Sequence, residues 1–221
     1  MEVSCLWMLL FTSLSGASAQ NALPADLFGK VFLFPRESAN SFSVLKPKQD
    51  KPLEEFTICL QAYSDLTRPY SLFSYATESQ DNEILLFKEG PGMYSLSVGG
   101  FWVLFRTAAD PPDSKHICAT WESATGIAEL WVDGKRLVRK GLRAGYKVGA
   151  GGQMILGQEQ DSFGGDFKLD QSFVGEIGDL CLWDRVLSEF ELFDPDHCGN
   201  LLNWESLSFE NRGYVVIKPN N

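Results

Sequence analysis

The sequence predicts an all-β fold: a two-sheet antiparallel jelly-roll β-sandwich with one short helix. Three observations carry this. Short apolar runs recur from Lys30 onward with turn residues between them. Helical periodicity is nearly absent. Of the 221 residues, 44% are hydrophobic and 13% aromatic, which supplies one packed core and excludes a disordered chain.

The first run, 31–34, is closed by Pro35. Next comes 56–60, which holds Cys59, followed by 70–75, 83–87 and 101–105. The run 116–121 holds Cys118 and leads to the clearest hairpin, 127–132 followed by Asp133-Gly134, the signature of a type I′ turn. In that strand Ala128, Leu130 and Val132 share one face, and Ile127, Glu129 and Trp131 the other. The one helix is expected at 187–193, with Ser188 as N-cap, Glu191 completing a capping box and Asp194-Pro195 as the stop. Phe190, Leu192 and Phe193 are expected to pack it on the sandwich, and 213–218 reads as a closing strand. No composition shift or internal repeat divides the chain, so residues 20–221 form one domain.

Residues 1–19 read as an export signal, with an apolar run at 5–11 and the small-x-small pattern Ala17-Ser18-Ala19 before the expected cut. The segment carries Glu2 and no Lys or Arg. The run is too short to span a bilayer, and no other stretch reaches the roughly 18 apolar residues that would, so membrane insertion is excluded and a secreted chain expected. The formal charge is −10 without a block of basic residues, which argues against nucleic acid as the primary partner and for a cation-binding protein.

Export removes Cys5 and leaves Cys59, Cys118, Cys181 and Cys198, an even set that suggests disulfides with three possible full pairings. Cys59 and Cys118 both lie in strand-like runs, which suits a bridge between adjacent strands. Cys181 and Cys198 flank the short helix and could close a local loop; free thiols or a bond between subunits are the rival readings. No CxxC or His spacing points to zinc, and no Asn-x-Ser/Thr sequon is present.

The chemistry concentrates in residues 155–171, where acids, amides and glycines crowd a loop after a strand. Calcium takes roughly six to eight oxygens from carboxylates and carbonyls. Glu159 and Asp161, with the Gln160 carbonyl between them, could converge on one ion; Asp81-Asn82 is a second acid-amide pair. Read alone, each is equally an ordinary polar loop. Glu159-x-Asp161 also suggests the paired carboxylates of a jelly-roll glycoside hydrolase, but those belong on a strand face and these enter a Gly-rich loop. An enzyme is therefore not expected. Trp121, Trp131, Trp183 and Trp204 read as core, His116 as a structural histidine, and the basic stretch 135–143 as a solvated or inter-subunit surface. His197 beside Cys198 shows no sign of a nucleophile pair.

His116-Ile117-Cys118-Ala119-Thr120-Trp121-Glu122-Ser123 resembles the pentraxin signature, His-x-Cys-x-Ser/Thr-Trp-x-Ser/Thr. Ser74-Tyr75-Ala76-Thr77, Asp81-Asn82-Glu83, Trp131-Val132-Asp133-Gly134-Lys135 and the 158–165 run resemble the short pentraxins in the same order, over 32–219. The resemblance implies a lectin-like jelly roll, a Cys59–Cys118 disulfide and a secreted homo-oligomer, usually a pentamer. It also implies an innate-defence role: calcium-dependent, multivalent binding of phosphocholine-like or carbohydrate ligands. Carried over by position, Asp81, Asn82, Glu159, Asp161 and the Gln160 carbonyl match a first calcium site, and Glu159, Asp161 and Gln171 a second. Lys168 stands where the family usually has an acid, so a weakened second ion is expected, with Asp166 or Asp170 as possible compensating ligands. Phe87 matches an apolar wall for choline methyls, and Ser97 a small residue beside it. Trp102 replaces a glutamate; it either holds a quaternary ammonium by cation–π attraction or, on the plainer reading, packs inward with the 101–105 run. The opposite face, near 187–193, is implied to meet complement or Fc-receptor components. The competing binding class is a calcium-independent, laminin-G-like adhesion module.

Overall fold

The computed structural model describes residues 26–108, 111, 113–194 and 199–220, so the expected export signal, His197 and Cys198 lie outside the described residues. In chain order the first strands are β1 (Lys30–Phe34), β2 (Phe42–Lys46), β3 (Glu55–Tyr63), β4 (Tyr70–Thr77) and β5 (Gln80–Gly90). Then come β6 (Met93–Val98), β7 (Phe101–Arg106), β8 (Lys115–Glu122), β9 (Ile127–Val132), β10 (Lys135–Arg136) and β11 (Lys140–Gly141). The chain closes with β12 (Gln153–Leu156), β13 (Gly175–Trp183), α1 (Glu189–Leu192), β14 (Ser208–Arg212) and β15 (Val216–Pro219).

These strands form two sheets. One runs β10-β9-β8-β3-β13-β1-β15, with β11 also on β9; the other runs β14-β2-β12-β4-β5-β6-β7. Every pairing is antiparallel, and the sandwich is the predicted jelly roll. Alternation along each strand sends one set of side chains inward. Ile58 and Leu60 of β3 and Ile84 and Leu86 of β5 meet in a single core cluster that also takes Trp121 and Trp204. Ala128, Leu130 and Val132 of β9 join it, whereas Trp131 faces away, as the strand pattern predicts.

The Asp133-Gly134 turn is type I′ in kind, with φ 49° and 76°. Behind it, Trp131, Trp183, Leu187 and Leu192 pack with Cys59 and Cys118 in a second cluster on the outer side of the larger sheet. Cys59 and Cys118, opposite one another in the β3–β8 register, form a disulfide.

The capping box holds: the Glu191 N–H donates to Ser188 Oγ, and the Ser188 N–H donates to Glu191 Oε2 at 2.9 Å. One expectation is corrected. Phe190 does not pack on the sandwich; it is 90% exposed, because a one-turn helix buries a single side and Leu192 takes it. The expected closing strand is present as β15, paired with β1, while β14 pairs with β2 in the other sheet; the chain crosses between them through Gly213, at φ 65°. A Cβ there would meet the Asn40 carbonyl at 2.3 Å, so a side chain has no room.

Candidate functional site

The loop after β12 is built by alternation. Gly157, at φ 90°, lies so close to Phe34 that a Cβ would sit 2.3 Å from its ring. Beyond it Gln158 and Gln160 are fully buried. Gln158 Nε2 donates to the Ser41 carbonyl at 3.1 Å and to that of Ser38. Gln160 Nε2 donates to the Gln153 and Ser74 carbonyls at 2.9 and 3.2 Å, while its Oε1 accepts from the Gly164 N–H at 2.9 Å. Gln158 thus pins the loop to the β1–β2 connection and Gln160 pins it to the sheet, while Glu159 and Asp161 are the alternate residues. The sequence reading assigned Gln160 only its backbone carbonyl. Its anchoring side chain was invisible there because Ser74 lies 86 residues away.

Ser74 of β4 pairs with Ile155 of β12 and Leu85 of β5, so β4 separates the loop from Asp81-Asn82 by one strand. The groups sense one another. Burial pushes the Glu159 carboxyl up to about 7, helped by the negative charges of Asp161, Glu89 and Asp81 and opposed by Lys168. Lys168 Nζ meets Asp161 Oδ2 at 2.9 Å, and that carboxylate holds the ammonium above its usual range. Glu89, absent from the sequence reading, follows Leu85 and Phe87 at period two on β5, a signal that strand alternation offered.

Asp81, Glu159 and Asp161 do not each bring an oxygen within 4.8 Å of the others; among the described residues the one such trio of His, Cys or acid groups is Cys59, His116 and Cys118. Disulfide sulfurs are not metal donors, so that trio holds no ion. Mutual repulsion and the pull of Lys168 on Asp161 explain the spread of the three acids. The donor set nevertheless fits a hard cation. Asn82 Oδ1 and Gln171 Oε1 are buried with no hydrogen-bond partner among the described residues, an expensive state for a carbonyl oxygen unless something electropositive completes it. Both amides are among the ligands carried over from the sequence. The Asp166 and Asp170 carboxylates make no ion pair among the described residues.

The sheet beside the loop supplies an apolar surface. Ile84 and Leu86 point into the core, so Leu85 and Phe87 face the other way. Ser97 pairs with Leu85 on one side and Trp102 on the other, which puts all three in a row on that outer face. Phe87 and Ser97 are buried, but Trp102 is 63% exposed. The inward-packed reading of Trp102 is corrected: Val103 and Phe105 take the core side of this edge strand.

The other sheet offers a different surface. A cavity of about 660 Å³ opens beside α1, lined by His116, Asp133, Asp179, Leu192, Phe193 and Trp204 among others. Burial lowers the His116 imidazole below its ordinary range, with Asp133 and Asp179 opposing. Of the basic stretch, Arg136 and Arg139 pair with Glu129 of the same chain at 3.7 and 2.6 Å.

The profile of the Pentaxin family matches residues 30–219. The chain is 50% identical to mucosal pentraxin of Mus musculus over 219 residues, 99% of this chain and 98% of that protein. It is 49% identical to serum amyloid P-component of Homo sapiens over 223 residues, 99% of this chain and 98% of that protein. Among solved structures it is similar to the native heptameric SAP-like pentraxin from Limulus polyphemus, with TM-score 0.78 and 22% identity, covering 87% of this chain and 96% of that one. At that identity the likeness establishes the fold.

Proposed function

Taking as premise that the chain belongs to the pentaxin family, we propose that it is a secreted, calcium-dependent pattern-recognition protein without enzymatic activity. It binds phosphocholine-like or carbohydrate ligands multivalently. The observation that carries this reading is the pair of buried, unpartnered amide oxygens, Asn82 Oδ1 and Gln171 Oε1, among the acids of the β5 start and the β12 loop. Asp81, Asn82, Glu159, Asp161 and the Gln160 carbonyl hold the first ion; Glu159, Asp161 and Gln171 serve a second position weakened by Lys168. Bound calcium supplies a hard positive centre for a ligand oxygen. The pins at Gln158 and Gln160 fix the loop, Phe87 offers the apolar wall for a ligand's methyl groups, and Ser97 leaves room beside it. Trp102 extends that wall with an aromatic face suited to a quaternary ammonium, worth about 0.5–2 kcal/mol.

One weak site per subunit suffices if subunits assemble, because linked sites raise avidity without new contacts. The Limulus relative is described as heptameric, which supports a closed homo-oligomer here, with five subunits as the expected count. The α1 side is then left for effector partners such as complement or Fc-receptor components. Chromatography on immobilised phosphocholine, with light scattering of the eluate, tests the reading. Retention in calcium with release by EDTA, as one oligomeric species, is expected. Retention that survives EDTA would replace it with a calcium-independent adhesion module.

A further inference from the structure

We propose that the Lys168 ammonium stands in for the second cation, so that each subunit takes a single calcium ion and presents a protein-borne positive charge beside it. This rests on the calcium-binding reading above for the first ion, and it replaces the weakened second ion of that reading with none. Lys168 Nζ lies 2.9 Å from Asp161 Oδ2, an oxygen screened from solvent. A second ion that uses Asp161 needs an oxygen of the same carboxylate at roughly 2.3–2.6 Å. An ammonium already on that group repels the ion and contributes no oxygen in return.

The placement is built into the backbone. Lys168 immediately precedes the short 3-10 turn Leu169–Gln171, and the Gln171 N–H donates to the Lys168 carbonyl at 3.2 Å. The turn that carries the second position's amide oxygen therefore carries its competing cation as well. An ammonium has three N–H donors, and its contact with Asp161 is an ion pair. The Lys168 side chain is 56% exposed, so it also reaches an incoming anion. The ligand chemistry that follows is a phosphate or carboxylate held by one ion and one ammonium rather than bridged between two ions.

The test is calorimetric titration of CaCl2 into the calcium-stripped full chain, with equilibrium dialysis as an independent count. Wild type is compared with K168E and K168Q, each of which restores an oxygen, and melting in EDTA verifies that all three are folded. One ion per chain is expected for wild type and two for K168E; K168Q also takes two, the second at least tenfold weaker than in K168E. Two ions in wild type, or one in both folded variants, would overturn the assignment. No ion in wild type would instead overturn the calcium reading on which it rests, a different result from either.

Discussion

Glu159 and Glu191 both lie outside the main core, yet they titrate in opposite directions. Burial, reinforced by Asp161, raises Glu159 to about 7. The Arg185 guanidinium, at 2.7 Å, and the Ser188 cap hold Glu191 at about 2. The difference extends to their surroundings. Beside α1 several acids are paired, Glu191 with Arg185, Asp184 with Lys51 and Asn200, and Asp133 with Lys115 and the His116 N–H, while Asp179 is raised by burial. Around the β12 loop, like charges crowd and amide oxygens go without hydrogen-bond partners among the described residues. Paired charge serves the fold, and the under-satisfied charge is what the proposed calcium site draws on.

The comparison is broken most forcefully on its paired side. Removing the disulfide in C59A/C118A opens a link between residues 59 positions apart and is expected to lower stability by about 4 kcal/mol. Chemical denaturation measures this, and the calcium-induced rise in melting temperature should survive at low denaturant. On the loop side, Q160A strips four side-chain hydrogen bonds from a fully buried residue. A loss of about 2–3 kcal/mol is expected, and here the calcium response should disappear with it.

Titration sharpens the contrast. Glu159 has a folded value near 7 against an ordinary 4.5, so its contribution is fully present below pH 4.5 and is lost as pH rises through 7. In EDTA, E159Q should therefore be more stable than wild type by about 1–2 kcal/mol at pH 8, a discounted share of the shift, and equal to it at pH 4. The smallest effect runs the other way. Glu191, held at about 2, contributes above pH 4.5 and loses that contribution as pH falls toward 2, so E191Q should flatten the acid limb of the melting profile.

Much of this architecture was legible in the residues. Asp133-Gly134 fixed a hairpin because both positions adopt positive φ, and Ser188 with Glu191 announced the helix start. Local chemistry of this kind needs no distant partner. Trp102 was not legible: the run 101–105 is apolar on both faces, so nothing in it says which side looks inward, and only pairing with Ser97 settles it. Gln158 and Gln160 were hidden for the complementary reason, since the partners that tie them across the fold, Ser41 and Ser74, lie 117 and 86 residues away. Phe190 misled because an apolar residue in a helix suggests burial, whereas one turn has too little surface to bury more than Leu192.

The central claim, that oxygens of the β12 loop and the β5 start hold calcium together, is met most directly by scanning calorimetry of the chain in calcium and in EDTA. A ligand of the folded state at about 100 times its dissociation constant stabilises by about 2.7 kcal/mol. The account predicts a rise of that order in wild type, absent in D161N and in N82A. Identical melting of wild type with and without calcium would contradict it.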